Sequence, residues 1–246
     1  LKTIMQKTTD CPNKFGLTGT LDDAESHHLV LEGLFGSVKK VTTTKQLIDA
    51  KQISDLKIMG IVLTYSEKEC IIRDYNEEIK FITEHPQRNN LIRNLSIDLK
   101  GNTLVLFSLI KHGEFLHGII KEKADVDRKT FFVYGGTDSE TREKIRGIVE
   151  KERDSIVVAS FGVFSTGINI RNLHNIIFAS PYKSRIRNLQ SIGRGLRTHE
   201  SKAGAKLYDI ADDFKNNNHT IKHFVKRIGI YNQEEFDYEI IKVNLK

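Results

Sequence analysis

The sequence predicts an α/β fold, in which a parallel β-sheet carries helices on both of its faces. Two observations support this prediction. Short apolar runs alternate along the chain with helical stretches of ten or more residues, which is the pattern of βαβ units. The runs are also apolar at nearly every position, as expected for strands that are buried on both faces. A chain of 246 residues is long enough to build the core that such a sheet needs.

The individual elements follow in chain order. A short strand that runs into a loop is predicted at 14–20, and a helix from Asp22 to Phe35 ends at Gly36. After a polar connector at 38–54, the apolar run 56–63 begins the main series of strands. The later strands are predicted at Thr103–Phe107, Thr130–Tyr134, Ser155–Ser160, Asn175–Ala179 and Lys206–Ile210. The helices between them are predicted at Tyr75–Leu99 with a break at Pro86, His112–Glu122, Asp138–Lys151 and Ser184–Leu196, and the alternating tail Phe236–Val243 is predicted as an edge strand.

The composition excludes several classes of protein. With 39% hydrophobic residues, 28% charged residues and 3 prolines, the chain is neither collagen-like nor disordered. No apolar run approaches the roughly 18 residues that a transmembrane helix requires. Cys11 and Cys70 cannot form a disulfide scaffold or a four-thiolate zinc site, and they fit a reducing compartment such as the cytoplasm.

The chain is predicted to contain two parts, with the boundary between residues 54 and 55. The threonine-rich connector separates the first helix from the main series of strands. The first residue is Leu1 rather than Met, and no signal-like segment follows it, so we expect a fragment of a longer protein.

The positive charge is concentrated in one region. The net charge is +6, and the segment from Arg171 to Tyr208 holds eight Lys and Arg residues against a single acid, Glu200. A local excess of this kind favours a polyanionic partner, such as a nucleic acid.

The segment Gln190–Arg197 carries the clearest chemical signal. On a helix, Gln190, Arg194 and Arg197 lie on one polar stripe, beside an apolar stripe that can pack on the sheet. If the arginines project from the carboxyl edge of the sheet, they suit an anion such as a γ-phosphate. The alternative is a solvated basic helix end, because cations are favoured there in any case.

Three further loops follow predicted strands. Residues 160–169 combine two glycines with Ser165 and Thr166, which suits phosphate oxygens but also suits a simple turn. In 134–140, Thr137 and Glu140 are predicted to form a capping box, and the two adjacent glycines offer backbone N–H groups to a phosphate. Residues 107–113 form another strand-to-helix loop with polar groups.

Three aspartates lie in or just after the last buried strand. Asp209, Asp212 and Asp213 suit either a metal site or an acidic cluster at a helix N-terminus. The sequence contains no G-x-x-x-x-G-K-[ST] phosphate loop and no H-E-x-x-H metal motif.

Taken in order, these segments resemble the motifs of superfamily 2 helicases and translocases. Five segments keep the order of the family: Gly16–Thr20 (motif III), Leu104–Gly113 (motif IV), Tyr134–Arg142 (the block between motifs IV and V), Ser160–Asn169 (motif V) and Gln190–Arg197 (motif VI, as Q-x-x-G-R-x-x-R). Residues 157–168 and 111–113 look most similar to the branched-DNA helicases of tailed phages.

The resemblance implies a specific organisation. Residues 1–54 would be the C-terminal end of a first RecA-like lobe, with motif III and a connector, and residues 55–246 would be the second RecA-like lobe. That lobe has the P-loop NTPase fold without a P-loop of its own. ATP and Mg²⁺ are the implied cofactors, and the Mg²⁺ ligands would lie in the missing part of the first lobe.

The resemblance also implies roles for individual residues. Arg194 and Arg197 would be arginine fingers on the γ-phosphate, and Gln190 would orient the ATP site. Gly167 and Asn169 would contact the nucleotide. The implied nucleic-acid contacts are Ser108, His112, Gly135, Gly136, Ser165 and Thr166, and the implied coupling residues are Thr18, Gly19 and Thr20.

The function implied is part of an ATP-dependent helicase that remodels branched DNA in replication, recombination and repair. The partners would be single-stranded and branched DNA, RNA in DNA–RNA hybrids, and the missing lobe. The protein would act in the cytoplasm of the host, without a membrane partner. Alone, the chain should hydrolyse little ATP. Two alternatives stay open: the motor fragment of a restriction or remodelling translocase, and a non-catalytic nucleic-acid-binding module that uses the basic region 171–206.

Overall fold

The structure is a computed structural model that describes residues 2–5, 7–8, 10–18, 25–71, 73–166, 170–181, 192–193, 197–200, 202 and 204–245. The chain separates into two compact units, residues 1–43 and residues 44–246. Among the described helices, none combines the length and apolar character that crossing a lipid bilayer requires.

In the described part of the first unit there are two helices, α1 (Lys2–Met5) and α2 (Glu25–Phe35). Helix α2 ends where predicted, and Gly36 follows it with a φ of 83°, a left-handed conformation that glycine adopts at little cost. The strand predicted at 14–20 is wrong over its described part, because residues 14–18 have no regular structure. Phe15 and Leu17 are 86% and 95% exposed, so they have no sheet to pack on.

The second unit contains the remaining elements. Its strands are β1 (Asp55–Thr64), β2 (Thr103–Phe107), β3 (Thr130–Val133), β4 (Ile156–Ser160), β5 (Asn175–Phe178), β6 (Gly204–Asp213) and β7 (Tyr238–Asn244). Its helices are α3 (Thr44–Asp49), α4 (Tyr75–Glu84), α5 (Pro86–Asp98), α6 (Ile110–Lys123), α7 (Ser139–Lys151), α8 (Phe161–Thr166) and α9 (His219–Gln233).

Within the described part of the chain, the seven strands form one parallel sheet in the order β3-β4-β2-β5-β6-β1-β7. The predicted α/β class is confirmed. The tail forms the edge strand β7, as predicted, and pairs with β1. Because all strands run in the same direction, their carboxyl ends share one edge of the sheet, and their amino ends share the other.

The core lies on both faces of the sheet, because successive residues of a strand point to opposite sides. In β2, Leu104 and Leu106 belong to one buried cluster, whereas Val105 and Phe107 belong to the other. Helices α7 and α8 cover the first face, and helices α4, α5 and α6 cover the second. The strands are therefore held between two helical layers, and their ends are left to carry loops.

The break between α4 and α5 lies at the predicted position. Pro86 is in the first turn of α5, where its missing N–H costs no hydrogen bond. His85 links the two helices, and its Nδ1 accepts a hydrogen bond from the backbone N–H of Arg88 at 3.3 Å. This cap fixes the start of α5, which matters for the site described below.

Candidate functional site

At the centre of the carboxyl edge, β2 leads directly into α6. Ser108 is exposed there, and its backbone N–H donates to Ser180 Oγ at 3.1 Å. Leu109 is the N-cap of α6, and its aliphatic side chain cannot make a capping hydrogen bond. The first turn of a helix leaves its N–H groups unpaired within the helix, so this end of α6 presents donors and a positive dipole to an anion.

His112 differs from its predicted placement. Its side chain is 4% exposed, and Nε2 lies 3.0 Å from Asn89 Oδ1. Since Asn89 Nδ2 donates to the Thr83 carbonyl at 2.8 Å, Asn89 Oδ1 is the acceptor and His112 Nε2 carries the proton. Burial, together with the nearby Arg88 charge, lowers the pKa of His112 to about 3. We therefore correct the prediction: the neutral imidazole of His112 is held inside, where it does not face a nucleic acid.

The start of α5 supports this end of α6, a role that the sequence did not indicate. Asn89 holds His112, and Arg88 Nη2 donates to the carbonyl of Ala179 at 3.0 Å. Ala179 immediately precedes Ser180, the partner of the Ser108 N–H. The sequence did contain one indication of this arrangement. Asp212 lies in an apolar strand, and a buried carboxylate needs a positively charged partner.

The aspartates of β6 serve neither of the roles considered from the sequence. Asp212 forms an ion pair with Arg88, and Asp209 forms one with Arg227, with an Nη2–Oδ1 distance of 2.8 Å. Asp213 lies at the end of the strand and accepts from the backbone N–H of Lys215 at 2.8 Å. Among the residues that the structure describes, no cluster of three His, Cys, Asp or Glu residues could hold a metal ion.

Gly135 and Gly136 lie at the carboxyl end of β3, and both are exposed. The loop is closed by a pair of hydrogen bonds between Tyr134 and Thr137: Tyr134 N–H donates to Thr137 Oγ1 at 3.1 Å, and Thr137 N–H donates to the Tyr134 carbonyl at 3.0 Å. The predicted capping box is wrong, because the N-cap of α7 is Asp138, whose Oδ1 accepts from Thr141 N–H at 2.8 Å.

The segment after β4 is a helix rather than the predicted loop. Helix α8 follows β4 without a break, and Phe161 and Phe164 are buried against the sheet. Ser165 and Thr166 form the end of α8, and their side chains lie outside the described part of the structure. The same holds for several predicted site residues in their entirety: Gly19, Thr20, Gly167, Asn169, Gln190 and Arg194. Thr18 is described and exposed, in the first unit.

Arg197 lies at the opposite edge of the sheet from the loops above. Its carbonyl accepts a hydrogen bond from Ser54 Oγ at 3.3 Å, and Ser54 directly precedes β1. The expectation that this arginine projects from the carboxyl edge is therefore wrong. The reason is topological, because the connection that leaves β5 at the carboxyl edge must return to the amino edge before β6 can run parallel to it.

The structure thus separates the predicted residues into two groups. Ser108, the first turn of α6, Gly135 and Gly136 lie at the carboxyl edge, after β2 and β3, with β4 between these two strands. Arg197 lies near the start of β1, at the amino edge. The carboxyl edge presents backbone N–H donors that suit the phosphates of a nucleic-acid backbone, and the amino edge carries Arg197.

The fold and the match to a family model together indicate the class of protein. Residues 87–199 match the family model of the helicase conserved C-terminal domain. The parallel sheet with helices on both faces is that of RecA-like helicase C-terminal lobes. The second unit has the fold of a second RecA-like helicase lobe, and the chain is similar to a superfamily 2 helicase along its whole length.

Particular relatives support this assignment. The ATP-dependent DNA helicase UvsW of Enterobacteria phage T4 is 36% identical over 264 aligned positions, which cover 100% of this chain and 52% of that protein. The crystal structure of T4 UvsW matches with a TM-score of 0.67 and 37% identity, over 87% of this chain and 45% of that one. The ATP-dependent type ISP restriction-modification enzyme LlaBIII, bound to DNA, matches at 15% identity with a TM-score of 0.61, over 94% of this chain and 18% of that one, which shows the fold alone. The chain spans about half the length of the phage helicase.

Proposed function

We propose that this chain contains the second motor lobe of an ATP-dependent DNA helicase that remodels branched DNA. The similarity to the T4 helicase, which runs along the whole chain, carries the proposal. The residues 1–54 would then be the end of the first lobe. Thr18, Gly19 and Thr20 would couple the closure of the two lobes to movement of the DNA strand.

The carboxyl edge would hold one DNA strand. The exposed loops after β2 and β3 contain Ser108, Gly135 and Gly136, and the first turn of α6 adds N–H groups. Ser165 and Thr166, after β4, complete the set of proposed contacts. Backbone donors recognise phosphates rather than bases, so binding would depend weakly on DNA sequence and strongly on salt.

The arginines of motif VI would act on the nucleotide. In this proposal, Arg194 and Arg197 stabilise the charge that develops on the γ-phosphate, and Gln190 helps to orient it. Gly167 and Asn169 would contact the nucleotide beside them. Mg²⁺ supplies charge neutralisation between the phosphates when it is bound, and its ligands would come from the first lobe.

Arg197 and the proposed DNA contacts Ser108, Gly135 and Gly136 lie at opposite edges of one sheet, which suggests how the lobe works. Closure of the ATP cleft gives the arginines an anionic partner, and hydrolysis removes that partner. Because the DNA contacts are on the same sheet, each closing and opening of the lobe moves them with it.

The test is an assay of strand separation and annealing on forked DNA and four-way junctions, with a polypeptide that contains this chain and a complete first lobe. The proposal predicts ATP-dependent remodelling of both substrates. Movement along linear duplex DNA without strand separation would favour a restriction or remodelling translocase instead. DNA binding that nucleotides do not change, without ATP turnover, would favour a non-catalytic module and overturn the proposal.

A further inference from the structure

The last turn of α7 carries a carboxylate that joins two segments from different strand connections. Glu150 Oε1 accepts a hydrogen bond from the backbone N–H of Arg171 at 2.5 Å. Its other oxygen, Oε2, lies 3.7 Å from Nε2 of His199. The side chain of Glu150 is 18% exposed, so these contacts are partly shielded from water.

A second contact joins the same two segments directly. Lys202 Nζ donates to the carbonyl of Leu173 at 3.0 Å, and Lys202 N–H donates to the carbonyl of His199. Burial lowers the pKa of Lys202 to about 8, although the negative charge of Glu150 opposes this shift. Arg171–Leu173 and His199–Lys202 are therefore held together at the amino edge of the sheet.

These two segments flank the residues that we propose to contact ATP. Arg171 follows the segment of Gly167 and Asn169 closely, and His199 is two residues after Arg197. The first segment comes from the connection between β4 and β5, and the second from the connection between β5 and β6. We propose that Glu150 is a positioning residue that fixes these two ATP-contacting segments relative to each other, an inference that rests on the proposed function.

The two segments need a fixed relative position because the groups that stabilise charge on the γ-phosphate must be placed accurately. Displacement of a charged group by about 1 Å can reduce a reaction rate by about 100-fold. Backbone segments reach that precision when supporting hydrogen bonds restrict them. Glu150 supplies such a bond to one segment and a charge to the other, without being a catalytic residue itself.

The test compares variants of Glu150 in a polypeptide that also contains the first lobe. Glu150→Ala removes both contacts, whereas Glu150→Gln keeps an acceptor for the Arg171 N–H but loses the charge. Glu143→Gln is the matched control, because Glu143 lies on the same helix in an exposed pair with Arg146. The measurements are kcat and KM for ATP at saturating DNA, DNA affinity without nucleotide, and the free energy of unfolding in urea.

We expect Glu150→Ala to lower kcat by about 10-fold or more, Glu150→Gln to recover most of it, and both to keep DNA affinity within about twofold. A kcat for Glu150→Ala equal to that of the control overturns the inference. So does a loss of DNA affinity in parallel with kcat, since that indicates general destabilisation. Should Glu150→Ala fail to fold, His199→Ala removes the contact of Glu150 with the second segment and leaves the Arg171 hydrogen bond in place, and an unchanged kcat there also overturns the inference. Absence of ATP turnover in the unmodified protein would instead overturn the proposed function, and this inference with it.

Discussion

Arg88 and Asp212 form an ion pair beneath the carboxyl edge of the sheet, with Arg88 Nε 2.7 Å from Asp212 Oδ1 and both side chains fully buried. The hydroxyl of Tyr65 donates to the same carboxylate oxygen at 2.6 Å. Arg88 also donates to the carbonyl at the end of β5. The pair therefore joins α5 to two central strands, directly below the loop that carries Ser108.

Replacing one partner of this pair should destabilise the fold strongly. Arg88→Met leaves the Asp212 carboxylate buried without its cation, and we expect a loss of about 3–5 kcal/mol in the free energy of unfolding. Urea denaturation followed by circular dichroism measures the change. Arg93→Met is the control, since Arg93 lies on the same helix but is only half-buried. Equal losses in the two variants would contradict the assigned role of the pair.

The buried His112 predicts a loss of stability in mild acid. Its pKa is about 3 in the folded chain because burial disfavours the imidazolium, whereas it is near 6.5 when the chain is unfolded. Stability from this group is complete above pH 6.5 and decreases as the pH falls below it, because the unfolded chain then binds the additional proton. Between pH 7.5 and 5.5 the contribution should fall by about 1.4 kcal/mol.

Urea unfolding at the two pH values measures this change, with His112→Gln as the comparison. Gln keeps an N–H donor for Asn89 Oδ1 but does not titrate, so the decrease between the two pH values should be smaller by that amount. His117, whose pKa is also lowered by burial, stays in both proteins and does not affect the difference. Identical pH dependence in the two proteins would show that His112 does not titrate as described.

Gly113 allows α6 to approach the sheet closely. A Cβ atom at this position would lie 2.5 Å from the ring of Phe107. Gly113→Ala should therefore destabilise the fold by about 1–3 kcal/mol, despite the higher helix propensity of alanine. Gly118, on the same helix, has no atom within 4 Å of such a Cβ, and Gly118→Ala should stabilise by about 0.5–1 kcal/mol. Thermal unfolding of the two variants should show shifts of opposite sign; shifts of the same sign would contradict this packing.

The sequence predicted the strands of the second unit and the break at Pro86 because those features depend on local patterns. Helix α9 was missed because the groups that cap it come from a distant part of the chain. Glu78 of α4 accepts hydrogen bonds from the backbone N–H groups of His219 and Thr220, at 2.9 and 2.7 Å. No local motif reveals a cap supplied by a residue so far away along the chain.

In the candidate site, too, some features depend on neighbouring residues in the sequence and others depend on distant ones. The exposure of Ser108, Gly135 and Gly136 follows from their positions after predicted strands. The burial of His112 depends on Asn89, on another helix, and no pattern near His112 indicates it. The edge at which Arg197 lies could have been predicted, because a parallel sheet requires every crossover connection to end at the amino edge.

Gly136 should influence DNA binding through the neighbouring tyrosine. A Cβ at Gly136 would lie 2.6 Å from Cε2 of Tyr134, so Gly136→Ala must move the ring or the loop. Loss of one phosphate contact there should weaken binding to single-stranded DNA by about 0.5–1.5 kcal/mol, or roughly 2- to 13-fold. Gly147→Ala is the control, because Gly147 lies on α7, outside the proposed DNA contacts, and the space around it is open. Fluorescence anisotropy at fixed salt measures both affinities, and equal affinities would argue against a DNA contact by this loop.

Arg197 should affect ATP turnover without affecting DNA binding, because it lies at the amino edge, away from the loops that we propose to hold the strand. In a polypeptide with both lobes, Arg197→Ala should reduce kcat for ATP by about 1,000-fold or more, as expected when an arginine finger is lost. Arg153 is a suitable control, since it is exposed and lies just before β4 at the same edge. Arg153→Ala should retain the full kcat, and both variants should bind single-stranded DNA as the unmodified protein does. Because Arg197 uses its backbone carbonyl to contact Ser54, truncation of its side chain leaves that hydrogen bond in place. Normal turnover in Arg197→Ala would therefore refute the finger assignment itself rather than report a disturbed fold.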